Sequence, residues 1–255
     1  MKTLTRATCP AAVAIGLELR AARVKAKFGV RELARRADVN PAQVSSWERG
    51  ERIPPADCVS FLAGLLRMTM TEHRRIRQLA ADARREDHVE PDQGAAARLR
   101  TAYEKLASHI VEWAPVSLPD RLQRPEFTVG GPRRTLPLVR RAPQPDDPQA
   151  TRDLFISRKA IPGQSEQLLR LVDGPERLRL VAFEVGDLPA FAVYQIDGKT
   201  PTVALRHAHC NVYLTSDLAT SAYVRAMQRF SDEALSTAET AYAIKMTLHD
   251  LKANR

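Results

Sequence analysis

Apolar residues recur three and four apart from Ala14 to Phe28, through Leu17, Ala21 and Val24, which is the spacing of one helix face. The pattern restarts after Gly29. Leu33, Ala34 and Ala37 line one face of a second helix, Val39 fills a turn, and Val44 and Trp47 pack back from a third. Ala34 falls where these two helices approach most closely. Asn40 has the chemistry of an N-cap, Pro41 suits the first helical position, and Gln43 has capping-box spacing from Asn40. Gly50 follows as a C-cap glycine. A fourth helix starts at Pro55-Ala-Asp and buries Val59, Leu62 and Leu66; a fifth runs from about Thr71, as N-cap, to about Arg85. Residues 1 to 10 read as a loose tail and Asp87–Gly94 as a polar linker.

Beyond the linker the pattern is mixed. Leu99, Tyr103, Leu106 and Ile110 predict a helix over Ala95–Trp113. Pro115–Pro148 holds 8 of the 17 prolines, a density that few regular elements survive, so 115–150 reads as a Pro-rich loop or docking segment. Ser165–Val172 predicts a short helix. Leu178–Val185 is partly apolar on both faces and predicts a central strand. Ala190–Ile196 and Thr202–Arg206 flank the hairpin signal Asp197-Gly198, and Asn211–Leu214 is a further short strand. Thr215-Ser-Asp opens a helix over Ala222–Phe230. A last helix runs from Ser236 to about Lys252, with Ser236 and Glu239 in capping-box spacing. The expected fold is α+β in two domains: an all-α domain over 1–86, a linker over 87–94, and a domain over 95–255 with a small antiparallel sheet and closing helices.

Charge sharpens this division. The net charge is +9, and residues 1–85 carry 17 Lys and Arg against 8 Asp and Glu, while 86–255 carry 22 of each. All the excess positive charge sits with the paired helices, where a phosphate-binding face would put it. The run Val30–Gly50 therefore reads as a DNA-binding helix-turn-helix. Base reading falls to the outer face and N-terminal half of the third helix: Asn40, Ala42, Gln43 and Ser46. Arg31, Arg35, Arg49 and Arg52 are the candidates for phosphate contact, with double-stranded DNA as the partner. Trp47 reads as core, wedged between the helices, rather than as a base-stacking residue.

These residues also resemble a known family. Leu33-Ala34, Val39, Val44-Ser45 and Trp47-Glu48-Arg49-Gly50, followed by Pro54-Pro55, are similar to XRE-type, phage-repressor-like domains over about residues 12 to 80. The resemblance implies five helices and a structural ion pair between Arg23 and Glu48. Two residues depart from the pattern: Asp38 replaces the usual turn glycine, and Val30 stands where the family often has a phosphate-contacting Gln. Tyr103–Ala107, Pro119–Phe127, Glu166–Val185, Val212–Asp217 and Arg225–Leu251 resemble the C-terminal domains, often described as antitoxin-like, of actinobacterial XRE-type regulators.

Other chemistry is sparse. Cys9, Cys58 and Cys210 are scattered and lack CxxC spacing, which predicts a reduced, cytoplasmic chain. The apolar run Ala11–Leu17 is too short for a signal peptide, and no stretch of about 18 apolar residues predicts a membrane span. His207, His209 and Cys210 form one metal-like cluster, but a strand would turn Cys210 away from the histidines and no fourth ligand has a recognisable spacing. They read as polar strand-end residues or pocket lining, and no metal or cofactor is expected. No phosphate-cradling glycine loop, GxSxG or HExxH occurs, so an enzyme is not expected. The reading is a sequence-specific transcriptional regulator, homodimeric because one helix-turn-helix spans few base pairs. Its C-terminal domain would join subunits and receive a signal, from a small protein partner or from a small-molecule effector; a catalytic or metal-dependent domain is the remaining alternative. Val224, Met227, Phe230 and Leu235 are candidates for a subunit or partner surface, or for the domain's own core.

Overall fold

The computed structural model describes residues 9–83, 87–91, 96–119, 122, 150–162, 164–172, 174, 177–197, 199–207 and 210–253. Most of the Pro-rich stretch 115–150 and His209 therefore lie outside the described residues. The chain divides into two compact units: residues 1–107 with 193–225, and residues 108–192 with 226–255.

The first unit begins with five helices: α1 (Pro10–Lys25), α2 (Val30–Arg36), α3 (Pro41–Glu48), α4 (Ala56–Leu65) and α5 (Met70–Asp82). Cys9 and Pro10, expected in the tail, are buried, and Cys9 Sγ donates to the Ala83 carbonyl at 3.6 Å. α5 starts earlier than expected. Its N-cap is Thr69, whose hydroxyl accepts from Glu72 N–H at 3.2 Å while Glu72 accepts from Thr69 N–H at 2.6 Å. α1, α2, α3 and α4 all end with a residue in the left-handed conformation: Lys27, Asp38, Gly50 and Arg67. A β carbon at Gly50 would stand 2.8 Å from Val13 Cα, so this terminus combines a close backbone neighbour with a positive φ.

The same unit contains β1 (His88–Pro91), α6 (Ala96–Leu106), β6 (Thr202–Arg206) and β7 (Cys210–Leu214). β1 falls in the expected linker and pairs antiparallel with β7, which pairs antiparallel with β6. Its inward residues are the polar His88 and Glu90, so hydropathy gives no strand signal there. β5 (Phe191–Gln195) follows β6 in strand order, as the hairpin signal predicts. Tyr103 of α6 stacks 5.5 Å from Tyr194 of β5 and 5.5 Å from Tyr213 of β7, and burial raises the Tyr103 and Tyr213 phenols well above their ordinary range.

The second unit corrects the sequence reading most. The expected helix 95–113 stops at Leu106, and His109–Ala114 is a strand, β2. β2 runs parallel to β3 (Thr151–Ser157), a strand that the hydropathy pattern does not predict, and β3 runs parallel to β4 (Arg177–Val181). With seven strands among the described residues, the β structure is mixed and larger than a small antiparallel sheet. Leu154, Ile156, Leu178 and Leu180 pack in one core cluster with Leu168 of α7 (Ser165–Val172) and Ile244 of α9 (Thr237–Ala253). Phe155, on the alternate face, meets Phe230 of α8 (Asp217–Glu233) at 5.7 Å.

β4 is shorter than expected and terminates the strand order rather than lying centrally. One of its faces, Leu178 and Leu180, is apolar and packs against α7 and α9, while Arg177 and Arg179 stand on the other. Its outer edge is closed at Leu180: Leu180 N–H donates to Thr240 Oγ1 at 2.8 Å, and Leu180 carbonyl accepts from Leu235 N–H at 3.0 Å. Arg179 on the same strand donates to the carbonyls of Ser231, Ala234 and Leu235 at 2.6–3.0 Å, around the C-terminus of α8. Of the four residues considered for a partner surface, Met227 and Phe230 are only 7% and 1% exposed and belong to the protein's own core. Phe230 lies 4.7 Å from the Trp113 ring. Val224 is half-buried. Leu235 packs, partly buried, against the core.

Candidate nucleic-acid interface

The α2–α3 pair is held from behind by α1. Leu33, Ala34, Val44 and Trp47 are all buried, and Asp38 turns the chain with φ +50° while Val39 N–H bonds back to the Ala34 carbonyl at 3.0 Å. Asp tolerates this conformation better than most residues because its short polar side chain bonds locally. Gly16 of α1 faces the last turn of α3 at backbone distance. Trp47, Phe61, Leu62 and Cys58 line an apolar cavity of about 320 Å³ against α4, so the indole is turned away from the outer face of α3.

Arg23 of α1 grips Glu48 at the end of α3. Its Nε and Nη2 donate to the two carboxylate oxygens at 2.5 and 2.9 Å, and its Nη1 donates to the Phe28 carbonyl at 2.8 Å. The two side chains are only 12% and 8% exposed. The hydrogen bond that Arg23 donates to Glu48 outweighs burial and raises the Arg23 pKa.

The N-terminus of α3 points outward. Asn40, Ala42 and Gln43 are exposed. Asn40 Oδ1 accepts from Ala42 N–H at 2.8 Å, and Gln43 Oε1 accepts from Asn40 N–H at 3.0 Å. This capping box fixes both side chains over the helix start and leaves the Gln43 amide nitrogen as a donor. Ser46 departs from the expected outward orientation. It is 8% exposed and its hydroxyl donates to the Gln43 carbonyl at 3.0 Å. The chain after Gly50 folds back over it, with Glu51 N–H and Arg52 N–H both reaching the Ser46 carbonyl, at 2.9 and 3.3 Å.

The arginines sort into two groups. Arg31, Arg35 and Arg52 are exposed and form no ion pair among the described residues. Arg49 is already engaged: its Nε and Nη2 meet Glu51 Oε1 and Oε2 at 2.6 and 2.8 Å. The hydrogen bond raises the Arg49 pKa and lowers that of Glu51, whose carboxylate also feels Lys199 and Arg52. Neither Glu51 nor Lys199 figures in the sequence reading. An acid two residues from an arginine gives no periodic signal, and Lys199 comes from the distant β5–β6 connection. Arg36 pairs with Glu32 at 3.0 Å and Arg75 with Glu18 at 3.5 Å.

His207 closes the β6–β7 hairpin, its N–H bonded to the Cys210 carbonyl at 2.9 Å, while its expected companion His209 lies outside the described residues. Among the described residues, no group of three or more His, Cys, Asp or Glu is placed to hold a metal ion, and no helix is long and apolar enough to cross a membrane.

Comparison with known proteins agrees with this geometry in part. No curated protein matches the chain. The solved structure of TrmBL2, an archaeal chromatin protein, overlays at 9% identity with a TM-score of 0.34, covering 82% of this chain and 88% of that one; a likeness of this degree carries no argument. Residues 147–246 are similar to a family described as a domain of unknown function (DUF5753). Residues 14–79, the stretch that holds α2, α3 and the Arg23–Glu48 pair, match the family model of a helix-turn-helix domain, and the chain thus joins a helix-turn-helix domain to a second region of uncharacterised kind.

Proposed function

We propose that the protein is a sequence-specific DNA-binding transcriptional regulator of the XRE type, cytoplasmic, homodimeric and without enzymatic activity. The observation that carries this reading is the exposed start of α3, where Asn40, Ala42 and Gln43 stand free of the core beside the exposed Arg31, Arg35 and Arg52. A capped helix N-terminus with donors on its outer face suits base edges in the major groove, and flanking guanidinium groups suit the phosphates on either side. One such helix reads few base pairs, so useful specificity calls for two half-sites and two chains. The region over 147–246 would join subunits and receive a signal, from a small protein partner as antitoxin-like domains do. Val224 and Leu235 remain the candidates for that contact.

The test is selection of duplexes from a random pool by the full-length chain, followed by sedimentation with and without the selected duplex. A pseudo-palindromic motif bound by two chains is the expected result. Failure to enrich any sequence would overturn the reading of a specific regulator, and one chain per site would overturn the dimer. Arg49→Ala with Arg52→Ala should weaken binding to every duplex and flatten the salt dependence by about one to two units.

A further inference from the structure

Arg49 and Glu51 stand at the turn by which the chain leaves α3. The guanidinium presents two nitrogens to two carboxylate oxygens, at 2.6 and 2.8 Å. This fork-on-fork arrangement is the one in which an arginine also grips a phosphate. Both side chains are well exposed, at 58% and 44%, so neither packing nor dehydration explains the pairing. A surface pair of this kind adds little to stability. Its effect lies in what it does to a second anion arriving at Arg49.

We propose that Glu51 is a built-in competitor for the DNA phosphate at Arg49, an internal anion that must be displaced before the turn after α3 closes on the duplex. The proposal rests on the DNA-binding reading given above. Glu51 occupies the same two donors that a phosphate would take, and it is tethered two residues away, so its local concentration never falls. Displacement does not strand the carboxylate, because Lys199, to which no phosphate is assigned, also acts on it. Lys199 belongs to the same compact unit as α3, although it comes from the β5–β6 connection. The arrangement is therefore an exchange of partners: Arg49 passes from carboxylate to phosphate, and the carboxylate passes to Lys199. Because Arg49 is already neutralised in the free protein, its engagement with DNA releases fewer counterions than a free arginine would. The competition acts on every duplex alike. It sets the range of salt in which DNA is held, not the sequence that is held.

The experiment is a salt titration of full-length protein against random-sequence duplex DNA, using wild type, Glu51→Gln, Arg49→Ala and the double variant. Glu51→Gln should bind about threefold to tenfold tighter near 0.1 M salt, with a salt slope steeper by about one. The gain should largely vanish when Arg49 is already Ala, and the preferred operator should be unchanged. Glu51→Ser serves as a second neutral side chain, and thermal melts matching the wild type confine the comparison to binding. No tightening in either neutral variant would overturn the proposal. So would an equal gain in the Arg49→Ala background, which would mean a diffuse charge effect. Wild-type protein that holds no duplex at any salt would instead overturn the DNA-binding reading beneath it.

Discussion

Gly16 lies directly under the carbonyl of Trp47: a β carbon on residue 16 would stand 2.6 Å from that oxygen and 2.7 Å from the Glu48 oxygen. Both neighbours are backbone atoms in the last turn of α3, so they cannot swing aside as a side-chain tip would. Gly16→Ala must push α3 off α1, and overpacking of this kind costs about 1–3 kcal/mol. Gly64 provides the contrast, since it sits within α4 with open space around it. Gly64→Ala should raise stability, by up to about 1 kcal/mol, because alanine suits a helix interior better. Thermal melts of the two variants check this. Equal melting points for Gly16→Ala and wild type would mean that α1 and α3 do not meet as described.

Arg23 and Glu48 tie the same two helices by charge. Removing one partner of a largely buried pair leaves the other uncompensated, at a cost of about 3–5 kcal/mol. Glu48→Ala should lose stability on that scale and should lose DNA binding with it. Arg23→Lys should lie between, since an ammonium cannot make the two parallel bonds. Denaturant unfolding of both variants measures this, and a Glu48→Ala protein as stable as wild type refutes it.

One substitution separates the cap that Gln43 makes from the base contact proposed for it. Its Oε1 caps Asn40, while its amide nitrogen is left as the donor proposed to meet a base. Gln43→Glu keeps an oxygen for the cap and removes the donor. Stability should stay within about 0.5 kcal/mol, whereas the preferred base at one operator position should change by about 1–3 kcal/mol of discrimination. Selection from random DNA with both proteins gives the answer; identical motifs would remove Gln43 from base reading.

His88 gives the first unit a response to acid. Burial holds its imidazole below the ordinary value, with Asp82 drawing it up and Arg75 pressing it down. A base whose folded pKa is lowered works against folding once the unfolded chain can take up a proton that the folded chain refuses. Stability is therefore full above about pH 6.5 and declines as the pH falls through it. Melting points measured between about pH 7.5 and about pH 5.5 should fall in wild type and fall less in His88→Gln. Glu72, held below the usual carboxylate range by its cap to Thr69, acts in a separate and lower window: its contribution is lost as the pH drops below about 4.5.

The helix-turn-helix was legible because α2 and α3 each bury one face and α3 has its own punctuation, whereas α1 departs from its stripe: Ala21 and Val24 are exposed and Ala11–Gly16 is buried all round. Asn40, Gln43 and Gly50 mark both ends of α3, and Asp38 sits in the left-handed turn that its chemistry permits. The pair Arg23–Glu48, in contrast, came from family likeness and not from spacing. β2 and β3 escaped because strands buried on both faces lose the alternation that betrays them. The coincidental spacing of Leu106 and Ile110 carried the helix pattern of α6 straight into β2. β1 escaped for the opposite reason, since it turns His88 and Glu90 inward. At the site itself, the inward position of Ser46 follows from the returning chain at Glu51 and Arg52, which no 3.6-residue period encodes.

The closed edge of β4 has a consequence for how the chain is made. Thr240 and Leu235 occupy the outward polar groups of Leu180, so in the finished fold this residue offers no template to a neighbouring chain. Both residues lie after β4 by more than fifty positions. During synthesis β4 is thus complete while its cover is still unmade, and a nascent chain presents an open strand until α9 arrives. Liability to self-association belongs to the period of birth and not to the mature molecule, and polypeptides that stop before Leu235 should precipitate where the full-length chain stays dispersed.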